Sequence, residues 1–200
     1  MKILGLTGDI ASGKSTVGRM LEARGAAYLD ADLGVRELYS RPEFASLIGE
    51  KFGDVLDKNG CVNRGKLGAL VFSRPVKLAE LETIVHPAVA QLRREQLEEL
   101  RAAGTQAVVV EAVKLLESGH GKDCDEIWCV VAWEDVQVER LMRTRNLTRD
   151  EAERRLGVQP SPEAKRALAG KVPLLFLSNN GDLADLEARV GTEWTRFLSN

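Results

Sequence analysis

Short apolar runs alternate with helically spaced apolar stripes along nearly the whole chain. The runs predict strands at Lys2 to Thr7, Ala26 to Asp30, Gln106 to Glu111, Glu126 to Ala132 and Val172 to Ser178. Between them, spacings of three and four place apolar residues on single helix faces. Val17, Met20 and Leu21 share one face in a helix that Gly25 can close, and Leu67, Leu70 and Val71 share another after Asn63. Pro87 can open a long helix that ends near Gly104, and a further helix is expected over Asp135 to Arg145. Thr148 with Glu151 forms a capping box for the next, and Ser161 before Pro162 starts another. In the last helix Leu183, Leu186, Val190, Trp194 and Phe197 form a stripe expected to pack on the sheet. Such alternation predicts an α/β fold whose five strands form a mainly parallel sheet covered on both faces. About 75 residues separate the second and third strands, far more than a crossover needs, so this helical insertion is the expected place for a substrate subdomain.

Composition narrows the picture by exclusion. At 200 residues the chain can bury one substantial core. Its 28 Lys and Arg against 30 Asp and Glu give a net charge of −2, which offers no global reason to expect a nucleic-acid partner, although basic residues gather between Arg140 and Arg166. No apolar run approaches the roughly 20 residues that span a bilayer and no signal-peptide pattern opens the chain, so a cytoplasmic protein without a membrane partner is expected. Cys61, Cys124 and Cys129 lack Cys-x-x-Cys or Cys/His company and read as reduced, mostly buried thiols.

Candidate chemistry begins at "LTGDIASGKST", Leu6 to Thr16. Gly8, Gly13, Lys14 and Ser15 fit G-x-x-x-x-G-K-[ST], in which backbone N–H groups wrap a nucleotide phosphate, the Lys reaches the terminal phosphates and the hydroxyl binds Mg2+. A predicted strand precedes the match and a predicted helix follows, so the loop lies at a helix N-terminus whose dipole favours anions. The loop alone does not separate kinases from GTPases or switches. No guanine-reading Asn-Lys-x-Asp occurs, and Asp57 to Gly60, which superficially fits a GTPase Asp-x-x-Gly, reads as a polar turn. At the end of the second predicted strand, "YLDAD" places Asp30 and Asp32 two apart, so in an extended chain both point the same way from the edge at which α/β sheets bind ligands. A carboxylate there either takes a proton from an acceptor hydroxyl or helps hold Mg2+; the structural alternative is that Asp32 caps a helix beginning at Leu33.

With these residues in view the chain resembles the dephospho-CoA kinase family. "LTGDIASGKST", "LDAD", "GCVNRGKLGALVFSRP", "LETIVHPAV", "LLESG", "QVERL", "LTRDEAERRLGVQ" and "NNG" follow one another in the family's order and at about its spacings. The resemblance implies a three-layer P-loop kinase fold with a core (1–31, 105–134, 171–200), a helical acceptor-binding insertion (32–104) and a helical lid (135–170). It implies ATP-dependent phosphorylation of the ribose 3′-hydroxyl of dephospho-CoA, with Mg2+ as cofactor, by a monomer or weak homo-oligomer. Carried over by position, Gly8 and Ala11, Ser12, Gly13, Lys14, Ser15 and Thr16 bind ATP phosphates, Ser15 also binds the metal, and Asp32 is the base. Arg64 pairs with the acceptor pyrophosphate through its planar fork. His86 either donates to the acceptor or ties down a turn. Arg140 and Arg155 match lid arginines, which neutralise the transferred phosphoryl group and exclude water. Arg143, Arg145, Arg149 and Arg154 read more simply as solvated helix-surface charge, and Asn179 with Gly181 matches a turn near the adenine. The chain departs from the family's Pro-Leu-Leu-Phe-Glu with Val113-Lys114-Leu115-Leu116-Glu117, has Thr144 at a usual arginine, and has Pro173-Leu174 for a usual Ala-Asp. Lys114 reaches a phosphate or the lid, or only covers apolar surface with its stem. Another nucleoside- or nucleotide-type kinase, or a nucleotide switch without transfer, are the competing readings.

Overall fold

In the computed structural model, which describes residues 1–200, the five expected strands form one sheet. They are β1 (Lys2–Gly8), β2 (Ala27–Asp30), β3 (Ala107–Glu111), β4 (Glu126–Val131) and β5 (Leu174–Ser178), ordered β2-β3-β1-β4-β5. β1 runs parallel to both β3 and β4, and β4 parallel to β5; the registers pair Leu6 with Glu111 and Gly8 with Val130. Parallel strands covered on both faces read as continuous apolar runs, and β3 is buried at every residue. Because β1 is central, the loop that follows it leaves from the middle of the sheet's carboxyl edge.

The helices are α1 (Lys14–Glu22), α2 (Ala31–Ser40), α3 (Pro42–Phe52), α4 (Arg64–Val71), α5 (Pro75–Ala102), α6 (Glu134–Arg145), α7 (Arg149–Leu156), α8 (Pro162–Ala169) and α9 (Leu183–Ser199). Their starts follow from local chemistry. Asn63, Thr148 and Ser161 each accept a first-turn backbone N–H, and Thr148 and Glu151 complete the capping box. None of the helices is long and apolar enough to cross a membrane.

The chain divides into two compact units, Met1–Leu29 with Gly104–Asn200, and Asp30–Ala103. The first unit is centred on Leu4, Leu6, Val17, Leu21, Val109, Trp128 and Val130, against which α9 presents Leu186, Val190, Trp194 and Phe197. Leu183, expected in that stripe, opens α9 and is 63% exposed. The second unit has its own core, with Tyr39, Ala45, Ile48, Phe52, Val62, Leu67, Val71 and Leu81 buried together. Asp57 to Gly60 is indeed a polar turn: the Asp57 carboxylate accepts the amides of Asn59 (2.8 Å) and Cys61 (3.0 Å).

One helix differs from expectation. Pro87 does not open a helix but lies within the 28-residue α5, which begins at Pro75. An interior proline forfeits one helical hydrogen bond. Packing on both sides of it holds the helix together, with Leu78, Leu81, Ile84 and Val85 on the unit's core before it and Leu92 and Leu97 buried after it. His86 is therefore an exposed mid-helix residue and ties down no turn.

Candidate active site

The loop Gly8 to Gly13 folds as its glycines require. Gly13 has φ 98°, a left-handed conformation, and a Cβ added there would strike the side-chain amide of Asn179. A Cβ at Gly8 would come within 2.5 Å of the Val130 carbonyl oxygen. Ala11, at φ 57°, is left-handed without being glycine, a strain of about 1–2 kcal/mol. Surrounding groups hold that shape. Arg140 donates from Nη1 to the carbonyls of Ala11 (3.3 Å) and Ser12 (3.2 Å) and from Nη2 to that of Asn179 (3.1 Å). Asn179 Nδ2 donates to the Ser12 carbonyl at 2.7 Å. Ile10 and Ala11 pack against Val138, Leu141, Ala152 and Leu156 of α6 and α7.

A cavity of about 720 Å3 lies over the loop. Its lining includes Gly8, Ala11, Gly13, Lys14, Ser15 and Thr16 from the loop and α1, Asn179 after β5, and the cations Lys114, Arg140, Arg143, Arg145 and Arg155. With Lys14 that makes six Lys and Arg facing the cavity against the two carboxylates Asp9 and Glu117, a balance suited to a polyphosphate. Burial, and then the charge of Arg143, pull the Arg140 guanidinium below its ordinary value, yet arginine remains a cation at any physiological pH. Ser12 is the exception among the expected phosphate-binding residues. It is fully buried, its N–H is given to the Asp9 carbonyl (3.1 Å), and its Oγ is buried without a partner.

The cationic segment sorts itself. Arg143 and Arg145, read from sequence as surface charge, line the cavity, whereas Arg149 pairs with Glu153 (3.4 Å) and Arg154 Nε donates to the Asp150 carbonyl (3.2 Å). Thr144 also lines the cavity and donates its hydroxyl to the Arg140 carbonyl at 2.6 Å. Lys114 lines it too.

Carboxylates set the counter-charge. Lys14 Nζ is ion-paired with Glu111, whose side chain is 9% exposed at the carboxyl end of β3. Glu111 was read from sequence only as a strand end; a carboxylate closing an apolar run beside the loop-bearing strand was the available signal. A second near-buried pair joins Lys165 of α8 to Asp9 of the loop, and at 156 positions apart no local pattern announces it.

In the helical unit the expected geometry of Asp30 and Asp32 does not hold. β2 ends at Asp30, which is the N-cap of α2 and accepts the amides of Asp32 (2.8 Å) and Leu33 (3.2 Å). The chain turns helical immediately, so the two carboxylates do not project together from an extended strand, and the cap is Asp30, not Asp32. Asp32 is exposed in the first turn of α2. Arg64 opens α4 and lines a cavity of about 340 Å3 with Val35, Tyr39, Leu67, Val71, Phe72 and Leu81. His86 does not line it. Burial pushes the Tyr39 phenol up, partly opposed by the Arg64 charge.

A family model described as dephospho-CoA kinase matches residues 2–185. The chain belongs to the dephospho-CoA kinase family. A protein named dephospho-CoA kinase from Geobacter sulfurreducens is 39% identical over 198 residues, covering 98% of each chain. A solved structure from Thermus thermophilus is similar with a TM-score of 0.79 at 32% identity, covering 98% of this chain and 97% of its own. A Campylobacter jejuni dephospho-CoA kinase shares the fold with a TM-score of 0.68 at 21% identity, covering 100% and 98%. Within the dephospho-CoA kinase family, then, this chain carries the phosphate loop with Arg143, Thr144 and Arg145 at the cavity above it.

Proposed function

We propose that this chain transfers the terminal phosphoryl group of ATP to the ribose 3′-hydroxyl of dephospho-CoA, giving coenzyme A and ADP. The observation that carries this reading is the six-to-two cationic cavity over an intact phosphate loop in a chain of this family. Lys14 exchanges Glu111 for the terminal phosphates, while Arg143, Arg145 and Arg155 neutralise charge spread over the phosphoryl oxygens in transit. Arg140 and Asn179 act at one remove, since their donors are spent on the carbonyls that shape the loop. The segment 135–170 serves as the lid that excludes water.

The donor set suits Mg2+. Ser15 presents an exposed hydroxyl at the cavity and Glu111 is a carboxylate freed once Lys14 moves to phosphate; a hard ion that keeps several waters takes one or two such oxygens. An ion held by these oxygens would supply charge neutralisation on the phosphates. In the helical acceptor-binding insertion, 32–104, Arg64 pairs with the acceptor's pyrophosphate from the lining of the smaller cavity, and Asp32 accepts the hydroxyl proton as transfer proceeds. Asp30 supports it by holding the Asp32 amide. The decisive experiment measures ADP formation from ATP with and without dephospho-CoA, with the product's new phosphate located by phosphorus NMR. Acceptor-dependent ADP and a 3′-phosphate are expected. Equal turnover with plain nucleosides or nucleotides would reassign the acceptor class.

A further inference from the structure

The near-buried pair of Asp9 and Lys165 has no part in the transfer just described. Lys165 is 6% exposed on α8, an unusual place for an ammonium group unless it is paired, and its partner is the loop's own Asp9. The bond falls on the first half of the phosphate loop, two residues before the left-handed Ala11. A neighbouring contact reaches the next residue: the Ile10 amide donates to Gln159 Oε1 at 2.5 Å, from the turn between α7 and α8. On the far side the Asp9 amide is held by the Val130 carbonyl (3.3 Å), and the Asp9 carbonyl accepts the Ser12 amide (3.1 Å). Asp9 is thus tied by its backbone to β4 and to the loop, and by its side chain to α8.

Arg140 and Asn179 restrain only the second half of the loop, at the carbonyls of Ala11 and Ser12. The side-chain hydrogen bonds to the first half come from α8 and the turn before it, beside the backbone bond of the Asp9 amide to Val130 and the packing of Ile10 on α6 and α7. From this division we infer that Lys165 is a positioning residue for nucleotide binding. Acting through Asp9, with Gln159 beside it, it clamps the α7–α8 segment to the phosphate loop and holds residues 9–11 in the conformation that presents Lys14 and the loop amides to the phosphates. Its effect belongs to ATP and ADP affinity, because its ammonium group is spent on Asp9 and Asp9 belongs to the phosphate loop. This inference rests on the reading of the loop as the ATP site, not on the identity of the acceptor.

The test is therefore calorimetric titration with ADP, without acceptor, of Lys165→Met, Asp9→Asn, the double variant and Lys165→Arg, alongside steady-state kinetics and thermal melting. Each single change is expected to weaken ADP binding about tenfold and to raise the KM for ATP by a similar factor. The KM for dephospho-CoA should stay within about twofold. The double variant should bind ADP no worse than the weaker single, since both remove the same contact. Lys165→Arg, which keeps the charge, should recover most of the affinity. Removing one partner of a buried pair can unfold a protein, whereas the double variant leaves no charge uncompensated and serves if a single fails. A folded double variant with wild-type ADP affinity overturns the inference. Losses in the two singles that simply multiply in the double overturn it as well. A lowered melting temperature with unchanged affinity marks the pair as structural only, and also overturns it. Failure of the acceptor assignment would appear separately, as wild-type protein that binds ADP but forms none in the presence of dephospho-CoA.

Discussion

Replacing Lys14 by Met separates two roles that the structure gives to one side chain. Lys14 neutralises Glu111, and the two side chains are only 13% and 9% exposed. Removing one partner of a buried pair costs about 3–5 kcal/mol. Lys14 lines a large open cavity, and access of water to that side of the pair discounts the cost to about 2–3 kcal/mol. With a urea slope of roughly 1–3 kcal/mol per molar, the unfolding midpoint of Lys14→Met should fall by about 1–2 M. Adding Glu111→Gln removes the stranded carboxylate and should restore stability to within about 1 kcal/mol of wild type. Turnover should not return in the double variant. A preorganised donor on a phosphoryl group contributes roughly 10²–10³ in rate, and neither substitution supplies one. The assay pairs urea unfolding followed by circular dichroism with ADP release under saturating substrates. If Lys14→Met proved as stable as wild type while the double variant was weaker, the ion pair would not exist in solution, and the exchange of Glu111 for phosphate would fall with it.

The remaining expectations concern the acceptor side and the core. Asp32→Asn should lower turnover by roughly two to four orders of magnitude with ATP binding little changed, as removal of a general base commonly does. Asp30→Asn should cost much less, since Asn caps a helix about as well as Asp; a larger loss at Asp30 would move the base to that carboxylate. Arg64→Ala should raise the KM for dephospho-CoA and leave that for ATP alone, and steady-state kinetics showing the reverse would place Arg64 at the nucleotide. Burial pushes the Cys129 thiol from 9.0 up to about 11, against the opposing pull of Lys165. The folded state thus keeps a proton that the unfolded chain gives up, so this contribution to stability is whole below pH 9 and lost as pH rises to about 11. Urea midpoints of wild type and Cys129→Ala compared at pH 8 and 10.5 should diverge in that sense, and parallel curves would contradict it.

Strand and helix periodicity was strong enough in the sequence to place all five strands, because β1, β3 and β4 are sheet-interior runs that tolerate little but apolar residues. The phosphate loop was equally legible, since the glycines, Lys14 and Ser15 lie within one contiguous turn and each is required by its own local geometry. Helix starts with a capping side chain, at Asn63, Thr148 and Ser161, could be read for the same reason. Pro87 was misplaced because a proline's local preference for a helix start was overridden by packing on both sides of it. The geometry of Asp30 and Asp32 was misread because one hydrogen-bonded cap turns the chain from strand to helix two residues earlier than the pattern implies. Only the tertiary structure could decide the pairings Lys14 with Glu111 and Asp9 with Lys165, or which arginines face the cavity. These depend on the strand order β3-β1-β4 and on how α6 to α8 fold against the loop, which brings together charges 97 and 156 residues apart. A helix-surface arginine and a cavity arginine have the same local sequence signature; their difference is which neighbour the fold puts opposite them.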